Sequence, residues 1–152
     1  MDEPVNEPVN EDAHEDVNDE YRARAAQFDA SPLAQLLGMR VVELSDGFAV
    51  VEMELRSTFL NWGNIIHGGV IMALADHAFG CSLNAGRQAY VAVQFSTNFV
   101  AAPAVGERLR AEAKVLHAGR RVGLTEIRVT SSSGRLIATA TGTGVAVGPQ
   151  RA

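Results

Sequence analysis

Residues 61–85 read NWGNIIHGGVIMALADHAFGCSLNA, and this stretch decides the fold. A His-Gly-Gly motif opens a run of mostly apolar, helix-forming residues, and a helix without a wide polar face is buried on several sides. We therefore expect a buried helix over residues 68–84. Its carboxylate, Asp76, is the only acidic residue between Leu55 and Gly106. An isolated carboxylate in the middle of an apolar helix is a candidate for chemistry.

The segments on either side of this helix alternate apolar and polar residues, which is the period of β-strands. Two such segments precede the helix and are joined by a Ser-Asp-Gly turn, and four follow it. The glycine-containing connections after the helix predict hairpins between consecutive strands. The predicted strands cover residues 39–44, 48–55, 90–100, 107–119, 120–132 and 135–147. In the third strand, the expected apolar face consists of Val91, Val93, Phe95 and Phe99.

The charge is divided unevenly along the chain. The net charge is -5, but nine of the eighteen acidic residues lie in residues 1–20, which contain no Lys or Arg. From Tyr21 onward, 13 basic residues face 9 acidic ones, a balance of +4. This mildly basic part suits an anionic small molecule, and its scattered arginines weigh against a nucleic-acid surface.

The composition predicts one domain with short tails. Residues 1–19 lack periodicity and aromatic residues, so we expect a disordered acidic tail, a single domain over residues 20–148 and a short tail over 149–152. The helical spacing of Tyr21, Ala25 and Phe28, and a Ser-Pro helix start with a glycine stop after it, predict one or two short helices before the first strand. The absence of an 18-residue apolar segment and of a signal-like N-terminus predicts a cytoplasmic protein without membrane contact.

The single cysteine and the histidines are poor candidates for metal or covalent chemistry. Cys81 excludes an intrachain disulfide framework, and without a plausible His or Asn partner set we expect it to pack. The histidines do not stand at ligand spacing with an acid on a shared face, apart from the neighbours Asp76 and His77, so we expect no metal. His77 points about 100° away from Asp76 around a helix, which argues against a catalytic pair of the two.

One helix and about six strands predict an α+β fold. The economical arrangement is a single antiparallel sheet wrapped around the central buried helix. Such a sheet has exposed edges, and pairing with a second copy is the usual way to cover them.

The helix position, the strand order and one spaced motif together resemble a known family. The motif is Asn61, five residues, His67-Gly68-Gly69, six residues, and Asp76. It resembles the hotdog-fold acyl-CoA thioesterases of the phenylacetate-degradation (PaaI-like) branch, over roughly residues 33–147. The resemblance implies that Asp76 is the general base or nucleophile, that the N–H of Gly68 or Gly69 polarises the thioester carbonyl, and that Asn61 positions water or substrate.

The residues support these roles on their own terms. A helix N-terminus presents unpaired N–H groups and partial positive charge, although the two glycines are also consistent with tight packing of the helix start. Desolvation would make Asp76 a better base, although a satisfied buried acid is the alternative. His67 either binds substrate or orients Asn61, or it is a loop histidine that fixes the helix entry.

The spacing within the helix predicts an oligomeric site. Eight residues separate Gly68 from Asp76, which is about 12 Å along a helix and too far for both to act on one carbonyl. If both groups serve one site, Asp76 must come from a second subunit, and a two-fold axis generates two equivalent sites. A dimer is thus required, and we expect a dimer of dimers.

Three further residues are substrate-binding candidates. Arg120 and Arg121, at a turn between strands, suit the phosphates of coenzyme A, although solvated arginines are the alternative. Some relatives in the family that this chain resembles carry Ser or Thr where this chain has Ala92, and an Asp is often found where it has Gln94. The missing hydroxyl is then unfilled or supplied by a neighbour such as Ser96.

These features predict hydrolysis of medium-chain or aryl-acetyl CoA thioesters to the free acid and CoA. No metal or redox cofactor is expected, and coenzyme A enters as part of the substrate. Two alternatives stay open. One is a hydratase on the same fold, which would use a helix histidine as base. The other is a non-catalytic module that binds acyl-CoA.

Overall fold

The computed structural model describes residues 11–150, with side chains for residues 18–150. It contains three α-helices and six strands, and a short 3-10 helix over Ser57–Phe59. The helices are α1 (Glu11–Asp29), α2 (Pro32–Leu37) and α3 (Gly68–Leu83). The strands are β1 (Arg40–Ser45), β2 (Phe48–Glu54), β3 (Gln88–Phe99), β4 (Arg108–Ala118), β5 (Val122–Ser131) and β6 (Leu136–Pro149).

All six strands form one antiparallel sheet, and α3 packs against every strand of it. The predicted α+β hotdog architecture is therefore confirmed, with two strands before the helix and four after it. On β2, Val51 and Met53 are at most 1% exposed, whereas Glu54 faces solvent. The buried faces of α3 and the sheet form the core, and burying one Leu or Met side chain stabilises it by about 1.5–3 kcal/mol.

The strand order is β1-β2-β4-β5-β6-β3, so the prediction of hairpins throughout is wrong for the connection after β3. β3 pairs with β6 at the sheet edge, and the chain then crosses to β4 beside β2. The Pro-Ala-Val-Gly segment 103–106 suits a hairpin turn but lies in the crossover from β3 to β4, because local turn residues do not reveal which strands pair. The long β6 matches β3 over almost its whole length, and this pairing decides the topology.

A β-bulge interrupts β3. Ala92 lies opposite Gly144 and Gln94 lies opposite Thr143, so Val93 is an extra residue without a partner on β6. Residues that lie opposite each other in a ladder share a face, and Gly144 lies against Leu83 of α3. Ala92 therefore faces the helix.

The bulge divides the predicted apolar face of β3. Phe95 and Phe99 pair with Gly142 and Ala138 on the helix-facing side, and the ring of Phe95 lies 5.8 Å from that of Phe79. Val91 precedes the bulge and pairs with Val145 on the outer side, where it is 49% exposed. The expectation of one face shared by Val91, Val93, Phe95 and Phe99 is therefore wrong, because the extra residue shifts the alternation.

Glycines in β5 and β6 make room for the helix side chains. A Cβ atom on Gly142 would lie 2.7 Å from the ring of Phe79, and one on Gly144 would lie 2.6 Å from the Leu83 side chain. A Cβ atom on Gly123 would also collide with Leu83. The helix therefore sits closer to the sheet than any side chain at these three positions would allow, and we call them the glycine notch.

The N-terminal helix is longer than the sequence indicated. α1 begins at Glu11, so the expectation of a disordered acidic tail is wrong for residues 11–19, which are helical; residues 1–10 lie outside the described part. Acidic residues favour the first turns of a helix because of its dipole. The Asp29 carboxylate accepts the Val41 N–H at 2.8 Å and ties α1 to β1. α2 starts at Pro32 and is capped by Gly38 at a φ of 72°, as predicted.

The C-terminal boundary differs slightly from the predicted one. β6 continues to Pro149, and the Gln150 side chain donates to the carbonyl oxygens of Asn84 and Gln88. Within residues 11–150, each helix falls short of the length or apolarity that crossing a bilayer demands.

Candidate active site

The N-terminus of α3 is capped by the residue before it. His67 has extended backbone angles, and its Nδ1 accepts the N–H of Gly69 at 2.9 Å. The carbonyl oxygen of His67 accepts the N–H of Val70 at 3.0 Å. Within residues 11–150, the N–H of Gly68 has no acceptor. Of the two glycines, Gly68 is therefore the one whose amide is free to meet a ligand oxygen.

An apolar groove opens beside Gly68. A Cβ atom on Gly68 would lie 3.0 Å from the ring of Phe99, so the glycine lets β3 and the helix start approach closely. The groove has a volume of about 320 Å³, and its lining includes Ile65, Ile71, Phe99, Val100 and Pro103. Apolar walls around one free amide suit an apolar molecule that carries a single carbonyl group.

Asn61 shapes the loop that leads to α3. Its Oδ1 accepts the N–H groups of Gly63 at 2.8 Å and of Ile65 at 3.2 Å. Asn64, in the same loop, has a φ of 56°. The Asn61 side-chain oxygen is thus engaged within the loop, and its amide nitrogen is the atom left to orient water or substrate.

Asp76 lies two turns into α3 on the face that the sheet does not cover. Burial raises the pKa of the Asp76 carboxyl above 3.8, and the adjacent His77 opposes this effect. Burial lowers the pKa of His77, opposed by Asp29 and Asp76, so His77 is neutral at pH 7. A carboxylate with a raised pKa is a stronger base than an ordinary one.

Asp76 opens onto a cavity of about 420 Å³ between α1, α3 and the start of β3. Its lining includes Phe28, Gly80, Cys81, Asn84 and Tyr90. Burial raises the pKa of the Cys81 thiol, and the side chain is 1% exposed, so the expectation that Cys81 packs is confirmed. Neither Phe28 nor Gly80 is among the site residues that the sequence motif indicates. A glycine inside a helix was the available signal for the second.

The structure does not bring Gly68 and Asp76 together within one chain. α3 is continuous between them, and eight residues at 1.5 Å each give a separation of about 12 Å. Arg120 and Arg121 lie at the opposite end of α3, in the turn between β4 and β5. There the Tyr90 hydroxyl donates to the carbonyl oxygen of Gly119 at 2.9 Å. Both arginines are exposed, and neither forms an ion pair with another of the described residues.

The candidate residues of β3 fall on different faces. Ser96 lies opposite Thr141 and faces away from α3, as does Gln94, which accepts the Thr143 hydroxyl at 3.4 Å. Thr97 faces the helix, and its buried hydroxyl has no partner among the described residues. Ser96 is therefore remote from the α3 groups of its own chain.

Metal-ligating residues do not converge among the side chains described for residues 18–150, where no three His, Cys, Asp or Glu side chains are placed to hold an ion. The groups that this site offers are a free amide, a carboxylate, an amide side chain and apolar surface. Together they suit nucleophilic attack on a carbonyl group, with charge stabilised by a backbone N–H.

The profile of a family described as the Thioesterase superfamily matches residues 63–138. A putative esterase of Archaeoglobus fulgidus is 35% identical over 122 residues, covering 80% of this chain and 79% of that protein. The acyl-coenzyme A thioesterase PaaI of Escherichia coli is 31% identical over 113 residues, covering 74% and 81%.

Solved structures give the same result. The structure of the Escherichia coli PaaI protein, from the phenylacetic acid degradation operon, superposes with a TM-score of 0.83 at 28% identity and covers 88% of this chain and 98% of its own. A Streptococcus mutans protein bound to acetyl CoA superposes with a TM-score of 0.72 at 26% identity, covering 74% and 91%.

Proposed function

Since the chain belongs to the thioesterase superfamily, in its PaaI-like branch, and is a thioester hydrolase, we propose that it hydrolyses acyl-CoA thioesters of medium-chain or aryl-acetyl type. The observation that carries this proposal is a carboxylate with a raised pKa, Asp76, on the same helix as the free amide of Gly68. The name of the Escherichia coli relative and the acetyl CoA in the Streptococcus mutans structure support coenzyme A as the thiol.

In the proposed reaction, a water molecule attacks the thioester carbonyl while Asp76 takes its proton. The negative charge that develops on the carbonyl oxygen is stabilised by the N–H of Gly68, aided by the helix dipole. The tetrahedral intermediate then expels the CoA thiolate, which takes the proton from Asp76 and restores its carboxylate. The reaction uses neither a metal nor a redox cofactor.

A second route starts with the carboxylate itself. Asp76 attacks the carbonyl carbon, the CoA thiolate leaves, and water hydrolyses the resulting anhydride to the free acid and the restored carboxylate. Both routes require the same two groups at one carbonyl. Incorporation of isotopically labelled oxygen into Asp76 during a single turnover separates them, because only the anhydride route exchanges a carboxylate oxygen.

The site is completed by a second copy of the chain. Gly68 and Asp76 of one subunit are about 12 Å apart, so a single thioester carbonyl cannot contact both of them. β3 lies at the sheet edge with Val91 and Val93 exposed by 49% and 59%, a surface suited to pairing with another β3. Pairing about a two-fold axis sets the two α3 helices antiparallel, so each Asp76 approaches the partner's helix start.

The same arrangement assigns roles to the remaining candidates. Arg120 and Arg121 lie at the far end of α3, so in an antiparallel pair they approach the other copy's helix start and bind the CoA phosphates. Asn61 orients water or substrate through its amide nitrogen. Ser96 faces outward, and it contributes only if a further dimer packs on the outer sheet face in a tetramer. A cytoplasmic location agrees with the single free thiol of Cys81.

A panel of acyl-CoA esters tests the function by release of free thiol. We expect hydrolysis by the wild type, with Asp76→Asn as the inactive comparison. Saturable binding of CoA esters without thiol release would instead identify a binding module. Addition of water to an enoyl-CoA, without thiol release, would identify a hydratase.

A further inference from the structure

Gly80 is the one glycine of the chain whose presence no contact among the described residues explains. A glycine in a helix interior costs about 1 kcal/mol relative to alanine. Among the fourteen glycines, each of the others either has a positive φ or would bring a Cβ atom within 4 Å of another residue. A Cβ atom on Gly80 would meet nothing within 4 Å in the described chain, and its φ is not positive.

The empty space over Gly80 belongs to the cavity beside Asp76. Gly80 follows Asp76 by four residues, so the two lie one above the other on the same helix face. Both line the cavity of about 420 Å³, which is within the range of small-molecule sites. Phe28, from α1, forms part of the opposite wall.

The polar groups at the far end of this cavity are already hydrogen-bonded to one another. The Asn84 Oδ1 accepts the backbone N–H of Tyr90 at 2.8 Å and the Gln150 Nε2 at 3.1 Å. The Tyr90 hydroxyl is held by the carbonyl oxygen of Gly119.

The Ser31 hydroxyl is also satisfied, by the carbonyl oxygen of Phe28 at 2.8 Å, whereas the buried Nε2 of His77, next to Asp76, has no partner among the described residues. Away from Asp76 and His77 the lining therefore does not call for a polar ligand, and the rings of Phe28 and Tyr90 favour an apolar one.

We infer that the space over Gly80 receives the acyl group of the thioester, and that Gly80 and Phe28 together set the upper limit on its size. This inference rests on the proposed function, because it places the acyl group beside the carboxylate that attacks its carbonyl. The chemical class is an apolar acyl chain of medium length or an aryl-acetyl group. A partner helix packed against Gly80 is the competing occupant.

The test compares acyl groups of different size in three variants. In Gly80→Leu, the added side chain fills the cavity, so the ratio of kcat/KM for octanoyl-CoA to that for acetyl-CoA should fall about tenfold or more. The ratio for phenylacetyl-CoA should fall likewise. Gly80→Ala should change the ratios in the same direction by less and should raise Tm, because alanine favours the helix. Phe28→Ala should shift the preference towards longer acyl groups.

Two results would overturn the inference. One is a uniform loss of kcat/KM across all esters in Gly80→Leu and Gly80→Ala. The other is a smaller oligomer for Gly80→Ala in sedimentation, which would assign the space to a partner helix. If the wild type binds acyl-CoA without hydrolysing it, the proposed function fails. The ratios of Kd values for large and small acyl groups in the same variants then show whether the acyl group lies over Gly80. If it neither binds nor hydrolyses these esters, both proposals fail.

Discussion

The Nδ1 atom of His67 accepts the backbone N–H of Gly69 at 2.9 Å, so the side chain that begins α3 also removes one of its amides from use. Because Nδ1 is engaged as an acceptor in this bond, the Nε2 atom is the ring nitrogen left for other contacts. The amide left facing outward is that of Gly68. We therefore propose that His67 is a positioning residue, whose effect on the reaction passes through the helix start.

Replacing His67 tests this cap. His67→Ala should lower the free energy of unfolding by about 1 kcal/mol, because the Gly69 amide loses its acceptor. His67→Asn should recover most of the loss, since Asn is a favourable N-cap. Urea unfolding measures both values, and kcat should follow the same order. Equal stability of the Ala variant and the wild type would show that the bond contributes nothing.

Asp76→Asn tests the chemical role of the carboxylate. Loss of a general base should reduce kcat/KM by roughly 10²- to 10⁴-fold, and loss of a nucleophile at least as much. Glu112→Gln, on the outer face of β4, is the matched control, with the same loss of one charge and an expected activity near wild type. Thiol release measures both. An Asp76→Asn variant within about twofold of wild type would remove Asp76 from the mechanism.

The same substitution should affect stability in a pH-dependent way. Because burial raises the pKa of Asp76 above 3.8, the folded protein binds this proton more tightly than the unfolded chain does. The contribution of Asp76 to stability is therefore fully present below its ordinary pKa and is lost as the pH rises through the folded value. Asp76→Asn should be more stable than wild type at neutral pH. Thermal unfolding should show that this advantage in stability shrinks as the pH falls. An advantage that grew on acidification would show that folding lowers the pKa of Asp76 instead of raising it.

Mixing two inactive variants tests whether the site is shared between subunits. Asp76→Asn removes the carboxylate, and Gly68→Val blocks the helix start with a branched side chain next to Phe99. A heterodimer of the two has one site with both defects and one intact site. An equimolar mixture, unfolded and refolded together, should regain about a quarter of the wild-type activity. Sites built within single subunits would regain none.

The arginine pair should act on the nucleotide part of the substrate. Removing both Arg120 and Arg121 should raise KM for an acyl-CoA about five- to tenfold, with a smaller salt dependence, because exposed ion pairs with phosphate are worth about 1 kcal/mol. KM for the same acyl group on N-acetylcysteamine, which lacks the nucleotide, should stay unchanged. Arg128→Ala, on the outer sheet face, is the control. Equal effects on both thiols would exclude phosphate binding.

The sequence predicted the parts of the fold that local patterns determine. The buried helix after His67, the short helix that ends at Gly38 and the six strands all follow from periodicity and turn residues. The partner of β3 did not, because strand pairing is non-local and the turn residues around 103–106 suit a hairpin as well as a crossover. One extra residue, Val93, also reversed the faces of β3, and no local pattern announces a bulge.

The candidate site divides in the same way. The motif from Asn61 to Asp76 is contiguous, so its members could be named from the sequence. The hydrogen bond that leaves Gly68 rather than Gly69 free depends on the rotamer of His67. The cavity beside Asp76 joins Phe28 to Gly80, which lie on different helices far apart in the chain. Such a junction exists only in the folded molecule.

The glycine notch bears on how accurately this site is assembled. Phe79 and Leu83 each occupy a gap left by Gly142, Gly144 and Gly123, and a shift of α3 by one turn, about 5.4 Å, would drive at least one of the two side chains against a strand that has no gap for it. The helix therefore has one permitted position along the sheet. Asp76 lies one turn before Phe79 and two turns before Leu83. The three glycines that make room for these side chains therefore also fix the position of Asp76.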